Sequence, residues 1–333
     1  MHIIEIIDFY RKGVKPNEIN YIFVPSIIVP YKSKVIADVD SNQIEINFPR
    51  TSVTGMPNSL AEEFEQVWVK IKKTNPKLTN SIIANLQKLR YTNGELQWQE
   101  NLTDFKTLSG LRLGIFAKLE EELQDNLLAQ LAPTSPGAVV ETSDDKLILG
   151  VRGKKVHLDG KIMPFPVGHP RYIFHRNPSQ NYLENPLQSL ARQAITEMNL
   201  PLYSPDMNRV YGVAKEILLI GVVRDRGTTE NPSGSWNPLP TFFIKTKWDA
   251  ELCRRGYESA VDKYEHERFL TIHADETALS KTIEEFYPRF VGNGLGELLI
   301  YGRFRFGDKW YEKCILKLVK KYKARIKEGN PFL

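Results

Sequence analysis

The residues with the clearest capacity for chemistry lie between positions 184 and 197. Glu184, Arg192, Gln193 and Glu197 are polar side chains in a stretch that is otherwise largely apolar. Carboxylate oxygens are the ligands that Mg²⁺ prefers, and an arginine can orient a carboxylate or a phosphate. Gln193 and Glu197 are one helical turn apart, so their side chains would be neighbours. Within the helix itself the sequence thus supplies one carboxylate and one neutral amide oxygen.

A helix with well-marked ends must position these side chains. Asn185 can cap its first turn, Pro186 suits the first helical position, and Asn199 can adopt the left-handed conformation that ends it. The apolar residues recur at three- and four-residue spacing and predict one buried face, formed by Leu187, Leu190, Ala191, Ala194 and Ile195. The polar residues fall on or beside the other face.

Three further places carry candidate site residues. Glu265 and Glu267 lie in the stretch YEHERF, where exposed surface acids are the competing interpretation. Gly168 and His169 precede a proline in a loop, and the alternative there is an unusual backbone angle beside a solvated imidazole. Trp236 lies in a polar segment interrupted by Gly and Pro, which predicts a long mobile loop between strands.

The segment around the helix resembles the Nudix box, whose pattern is Gly, five residues, Glu, seven residues, Arg-Glu, apolar, any, Glu-Glu, any, Gly, apolar. The matching residues are Glu184, Arg192, Ala194, Glu197 and Leu200. The departures are Pro178 and Asn199 at the two glycine positions, and Gln193 and Thr196 where carboxylates are expected. The box is therefore degenerate.

The chain is most similar to the divergent Nudix branch that cleaves uridine diphosphate glucose. The shared short motifs occur in the same order and are Thr103-Asp104-Phe105, Gly168-His169-Pro170, Asn199-Leu200-Pro201-Leu202, His266-Glu267 and Gly296 to Tyr301. This resemblance implies an α/β fold, a Nudix-type α/β/α sandwich with a mixed sheet, preceded by an α+β N-terminal extension. It also implies Mg²⁺ or Mn²⁺ as cofactor and a nucleotide-type small molecule as partner, with a nucleotide sugar favoured.

The same resemblance assigns roles to individual residues. Glu184, Gln193 and Glu197 would hold the metal ion, and Glu267 with Arg192 would be catalytic. The expected substrate contacts are Gly168, His169 and Trp236. Because two acids are missing, a catalytically inactive Nudix module that acts as a nucleotide sensor or protein scaffold is the alternative, and whether the chain is an enzyme stays open.

The pattern along the chain predicts three units, over residues 1–132, 133–305 and 306–333. In the first unit, strands are expected over 22–31 and 35–48, helices from Leu60 and again around 82–89, and a hairpin at Asn93-Gly94. The last unit reads as a basic amphipathic helix. Such a helix could bind nucleic acid, but its apolar stripe favours packing on the parent domain.

The charge balance, the cysteine content and the lack of long apolar runs bear on the partners and the location of the protein. Lys and Arg outnumber Asp and Glu by 45 to 40, which is too small an excess to indicate nucleic acid as a partner. The two cysteines are far apart in the sequence and predict neither a disulfide framework nor a zinc site. Neither a signal peptide nor a membrane-spanning run is recognisable, so a cytoplasmic protein is expected, with a homodimer possible.

Overall fold

The structure is a computed structural model of the 333-residue chain. It describes residues 21–23, 29–30, 36–39, 58–74, 76, 79–92, 95–110, 134–154, 156, 159–173, 182–202, 212–225 and 239–327. The strands are β1 (Tyr21–Phe23), β2 (Val29–Pro30), β3 (Ile36–Val39), β4 (Ile82–Thr92), β5 (Glu95–Asp104), β6 (Gly137–Glu141), β7 (Lys146–Arg152), β8 (Ile162–Pro164), β9 (Tyr172–Ile173), β10 (Tyr182–Leu183), β11 (Ala214–Asp225), β12 (Leu239–Thr246) and β13 (His266–His273).

The helices flank these strands along the chain. They are α1 (Asn58–Thr74), α2 (Phe105–Gly110), α3 (Pro186–Met198), α4 (Ala250–Ser259), α5 (Glu276–Phe286), α6 (Gly292–Phe306) and α7 (Asp308–Lys327). Short 3₁₀ turns cover Lys263–Glu265 and Tyr287–Arg289. The helix expected from Leu60 is confirmed as α1, and the candidate site helix is confirmed as α3.

A mixed sheet forms the centre of the fold. Its order is β1-β11-β12-β6-β7-β13, with β2 also on β11 and β8 also on β7. Strands β6 and β12 are parallel, and the other neighbours in this sheet are antiparallel. The expected α/β class with a mixed sheet is thus confirmed.

Helices cover both faces of this sheet. Successive residues of β6 point to opposite faces, so Ala138 and Val140 join the core under α3 and α4 while Val139 joins the core under α5, α6 and α7. Both cores consist largely of fully buried aliphatic and aromatic side chains. The candidate site contains polar residues of two of these helices, α3 and α6, and of the loops beside them.

The N-terminal third contains a second, three-stranded sheet in the order β3-β5-β4. The expected hairpin is confirmed by the antiparallel pairing of β4 with β5, which begins at Thr92 and Glu95; Asn93 and Gly94 themselves lie outside the described residues. The helix predicted around 82–89 is wrong, since this segment belongs to β4. Its pairing with β5 continues from the hairpin as far as Ile82, and this long-range ladder outweighs the local apolar spacing.

The predicted units are less separate than their sequence boundaries suggest. Strands β1 and β2, which precede residue 132, pair with β11 in the main sheet. At the other end, α7 buries Trp310, Tyr311 and Cys314 in the core that α5 and α6 share. A helix lies where the amphipathic helix is expected, and the three units with their boundaries at 132 and 305 remain predictions. Over the described residues, no helix is long and apolar enough to cross a membrane.

Candidate functional site

Helix α3 has the ends that its sequence predicts. The side chain of Asn185 accepts a hydrogen bond from the backbone N–H of Gln188 at 2.8 Å, and the Gln188 side chain accepts one from the Asn185 N–H at 2.9 Å. Pro186 occupies the first helical position, and Asn199 ends the helix with a left-handed φ of 48°. These interactions satisfy backbone groups that a helix end leaves unpaired and fix where the polar face of α3 lies.

Glu184 and Arg192 form a buried ion pair at the start of the site. Arg192 donates from Nε to Glu184 Oε1 and from a terminal nitrogen to Glu184 Oε2, both at 2.8 Å. Glu184 Oε2 also accepts the backbone N–H of Arg171 at 2.9 Å, and Arg192 donates to the carbonyl of His169 at 2.9 Å. Both oxygens of the expected metal ligand Glu184 are therefore occupied. The ion pair positions both side chains, and the predicted roles of Glu184 in metal binding and of Arg192 in catalysis stay predictions.

The loop that contains Gly168 and His169 lies directly against α3. A Cβ atom at Gly168 would lie 1.6 Å from Nε2 of Gln193, so the glycine leaves room for that side chain. The N–H of Gly168 donates to the carbonyl of Pro136 at 3.1 Å, and Nδ1 of His169 is 2.7 Å from the carbonyl oxygen of Thr134. The contacts seen for both expected substrate residues are internal ones that hold the loop in place.

Glu197 lies at the centre of the site and is only 1% exposed. Its Oε1 accepts a long hydrogen bond of 3.4 Å from the backbone N–H of Val167. Its Oε2 has no hydrogen-bond partner among the described residues. Burial raises the pKa of Glu197 to about 8, although the charge of Arg152 opposes this shift. A carboxylate held in this way is poised to accept a cation or a proton.

The imidazole of His266 closes one side of the Glu197 carboxylate. Its ring stacks on Phe165 with centroids 4.4 Å apart, and it fills the space left by Gly150, where a Cβ would lie 2.4 Å from Nδ1. Burial, followed by the charge of Arg152, lowers the pKa of His266 to about 3. The ring is thus neutral near pH 7, and its Nε2 lies 3.4 Å from Oε2 of Glu197.

Glu265 is the acid of the YEHERF stretch that neighbours Glu197. Burial and the charge of Glu197 raise its pKa to about 7, and an oxygen of its carboxylate is 3.6 Å from a terminal nitrogen of Arg152. Glu267, the predicted catalytic acid, lies on an exposed part of β13. A register shift at the start of β13 interrupts the regular alternation of side chains between the two faces of the sheet. The sequence spacing therefore does not tell which of Glu265 and Glu267 points toward the site.

Glu297, on α6, was not among the predicted site residues. It is fully buried, and neither of its carboxylate oxygens has a hydrogen-bond partner in the described part of the chain. Gly137 leaves room for it, since a Cβ there would lie 2.5 Å from Oε1. Burial, then the charge of Glu197, raises its pKa well above the usual value. A glycine inside the apolar strand β6 is the sequence feature that could have indicated a close approach.

The arrangement offers unpaired carboxylate oxygens that suit a hard divalent cation. Across the described ranges, no three His, Cys, Asp or Glu side chains come together as a ready metal set. Mg²⁺ commonly keeps several waters and uses only one or two carboxylates together with substrate phosphates. Glu197, with its unpartnered oxygen, therefore fits a cation bound jointly with a phosphorylated substrate. Trp236, expected to contact the substrate, lies outside the described residues.

Comparison with known proteins supports the resemblance found in the sequence. The chain is similar to Nudix hydrolase 9 of Arabidopsis thaliana, with 23% identity over 274 residues that cover 71% of this chain and 79% of that protein. No family model matches the chain. The protein thus resembles the Nudix superfamily, at a level that gives no substrate.

Proposed function

We propose that the protein hydrolyses a diphosphate bond in a nucleoside diphosphate linked to a second group, with a nucleotide sugar favoured and Mg²⁺ or Mn²⁺ as cofactor. The observation that carries this proposal is the buried carboxylate of Glu197, which has an unpartnered oxygen. It occupies the position where the resemblance places a metal-binding acid, on a helix held by both caps. The similarity to a protein named as a Nudix hydrolase supports the reaction class.

In this proposal Glu197 holds the cation, and the Gln193 side chain contributes a neutral oxygen at most. A bound divalent cation neutralises phosphate charge and lowers the pKa of a coordinated water. Burial and the charge of Glu197 raise the pKa of Glu265, so Glu265 is the residue that would take a proton from the attacking water. Glu267, which the resemblance favours, is the competing assignment. Gly168, His169 and Trp236 keep their proposed contact with substrate.

Arg192 and Glu184 act through position in this scheme. Their ion pair connects the middle of α3 to the backbone of Arg171 and His169. The loop with Val167 therefore stays against the helix, and its N–H remains directed at Glu197. Correct orientation of the reacting groups can increase the rate of a reaction by large factors.

The second candidate function is a nucleotide-binding module without turnover. It is favoured by the neutral pair Gln193 and Thr196, whose side chains bond to each other at 3.1 Å where the Nudix pattern has acids. Such a module would need no metal ion. It would bind a nucleotide as a sensor or present a surface to another protein.

Hydrolysis of a panel of nucleotide sugars and dinucleotides, with Mg²⁺ or Mn²⁺, separates the two functions. The hydrolase proposal predicts turnover that disappears with chelator and with Glu197→Gln. Glu216→Gln, at an exposed acid on β11, is the matched control and should retain turnover. Binding of nucleotides without turnover of any compound in the panel would favour the silent module and contradict the hydrolase.

A further inference from the structure

Arg171 has a fixed backbone and an exposed side chain at the rim of the site. Its N–H donates to Glu184 Oε2 at 2.9 Å, and its carbonyl accepts the Glu184 N–H at 3.0 Å. A single β-bridge to Ile83 holds the same residue from the other side. The backbone of Arg171 is thus held by Glu184, which is itself ion-paired with Arg192.

The guanidinium of Arg171 is surrounded by charge but is not paired. Partial burial and the charge of Arg192 lower its pKa, while Glu184, Asp262 and Glu265 act in the opposite direction. Within the ranges that the structure describes, no carboxylate forms an ion pair with this guanidinium. An arginine remains charged at any physiological pH, so this exposed side chain offers a positive charge to a ligand at the rim of the site.

Tyr264 is a second exposed residue, 55% exposed, on a turn that is hydrogen-bonded to α3. It belongs to the 3₁₀ turn Lys263–Glu265. Burial and the charges of Asp262 and Glu265 raise the pKa of its hydroxyl, and the charge of Arg171 opposes this shift. The turn is fixed on both sides, because Asp262 donates its N–H to the carbonyl of Thr196 at 2.8 Å and Gly153 donates to the carbonyl of Glu265 at 2.9 Å. An aromatic ring on a fixed turn is therefore presented to solvent beside the site.

We propose that Arg171 and Tyr264 bind the nucleoside diphosphate half of the substrate, with the guanidinium on a phosphate and the ring against the base. This inference rests on the substrate class of the proposed function. A guanidinium pairs with phosphate oxygens through two parallel hydrogen bonds. Aromatic rings stack on any base, because every base has a flat face. The neutral residues Gln193 and Thr196 stand where the Nudix pattern has metal-binding acids. In this proposal the positive charge of Arg171 takes over part of the neutralisation of the phosphate that additional metal ions would supply.

Calorimetric binding of UDP and ADP, with Mg²⁺ and with chelator, tests the inference. Arg171→Ala should weaken UDP binding about tenfold or more in both conditions, and Arg171→Lys should recover only part of the loss. Tyr264→Ala should weaken it roughly tenfold, while Tyr264→Phe keeps the ring and the affinity. Arg255→Ala, an exposed arginine of α4, is the control for lost charge. Both target side chains are exposed, so thermal unfolding should stay unchanged.

The outcomes separate this inference from the hydrolase proposal. Wild-type binding of UDP that depends on Arg171 and Tyr264, without turnover of any substrate, would leave the inference standing and remove hydrolysis. Metal-dependent turnover with the same KM in Arg171→Ala, Tyr264→Ala and wild type would overturn the inference and leave hydrolysis standing. Absence of measurable UDP and ADP binding to the wild-type protein would also overturn the inference.

Discussion

The two ends of strand β6 place buried carboxylates in opposite situations. At the last residue, Glu141 is 1% exposed and accepts from Lys245 Nζ at 2.7 Å, from the hydroxyl of Tyr301 at 2.6 Å and from Arg305 at 3.4 Å. At the first residue, Gly137 makes room for Glu297, which has no hydrogen-bond partner in the described residues.

This difference separates an acid that serves the fold from acids that the fold alone does not explain. A buried charge is costly unless it is paired, and Glu141 meets that condition. Glu197 and Glu297 do not, and their raised pKa values are the consequence. Unpaired acids of this kind concentrate at functional sites, because the missing partner is often a ligand. We therefore propose that the functional site lies at the Gly137 end of the sheet, whereas Glu141 at the other end serves stability.

Removing Glu141 should have the largest effect on stability. Glu141→Ala leaves Lys245 and Tyr301 without their common acceptor, and we expect a loss of about 4 kcal/mol in the free energy of unfolding. Urea unfolding measures it, with the exposed Glu216→Ala as the matched control. The contrast between the two ends would be lost if Glu141→Ala cost less than about 1 kcal/mol, the value of an exposed ion pair.

Arg192→Leu should be the next most damaging change. It leaves both oxygens of the buried Glu184 without their main partner, so we expect a loss of about 3 kcal/mol in stability. Turnover should fall as well, since the loop with Val167 is no longer held. The double change Arg192→Leu with Glu184→Leu should recover part of the stability but little of the activity. Additive losses in stability would show that the ion pair does not couple these residues.

The acids of the YEHERF stretch allow a direct comparison between neighbours. Glu265→Gln should reduce kcat by about 100-fold, which is the lower range for loss of a general base. Glu267→Gln should leave kcat within a factor of about 2, because surface substitutions away from a site have small effects. Steady-state kinetics on the best substrate of the panel decides between them, and the reverse pattern would restore Glu267 as the catalytic acid.

Glu297→Gln should stabilise the protein, and more so as the pH rises. A pKa raised in the folded state means that the folded protein binds the proton more tightly than the unfolded chain does. Stability from this group is therefore complete below the usual pKa of 4.5 and is lost progressively as the pH rises above it. We expect a gain of about 1–2 kcal/mol at pH ~8 from urea unfolding. An equal effect of Glu285→Gln, on the exposed face of α5, would contradict this explanation.

Local features of the site were predictable from the sequence. The caps of α3 depend on Asn185, Pro186 and Asn199, and each acts on backbone groups within a few residues of itself. The hairpin between β4 and β5 follows from a turn dipeptide between two strands. In these cases the interacting groups are neighbours in the chain, so residue types alone carry the information.

The buried acids were not predictable in this way. Glu197, Glu265 and Glu297 come from three separate elements, and their burial depends on how those elements pack in the folded chain. The helix predicted around 82–89 failed for the same reason, because pairing with β5 is a long-range interaction. Glycines inside strands, such as Gly137 and Gly150, were the available indication that polar side chains come close there.

The most direct test of the functional end of the sheet measures turnover and stability together in Glu197→Gln. The neutral side chain has the same shape but cannot carry the charge that burial opposes, so the free energy of unfolding at pH ~8 should rise by about 1 kcal/mol. Metal-dependent turnover in the same preparation should fall by about 100-fold or more. A variant that is less stable and fully active would show that Glu197 serves the fold, as Glu141 does, and would contradict the account.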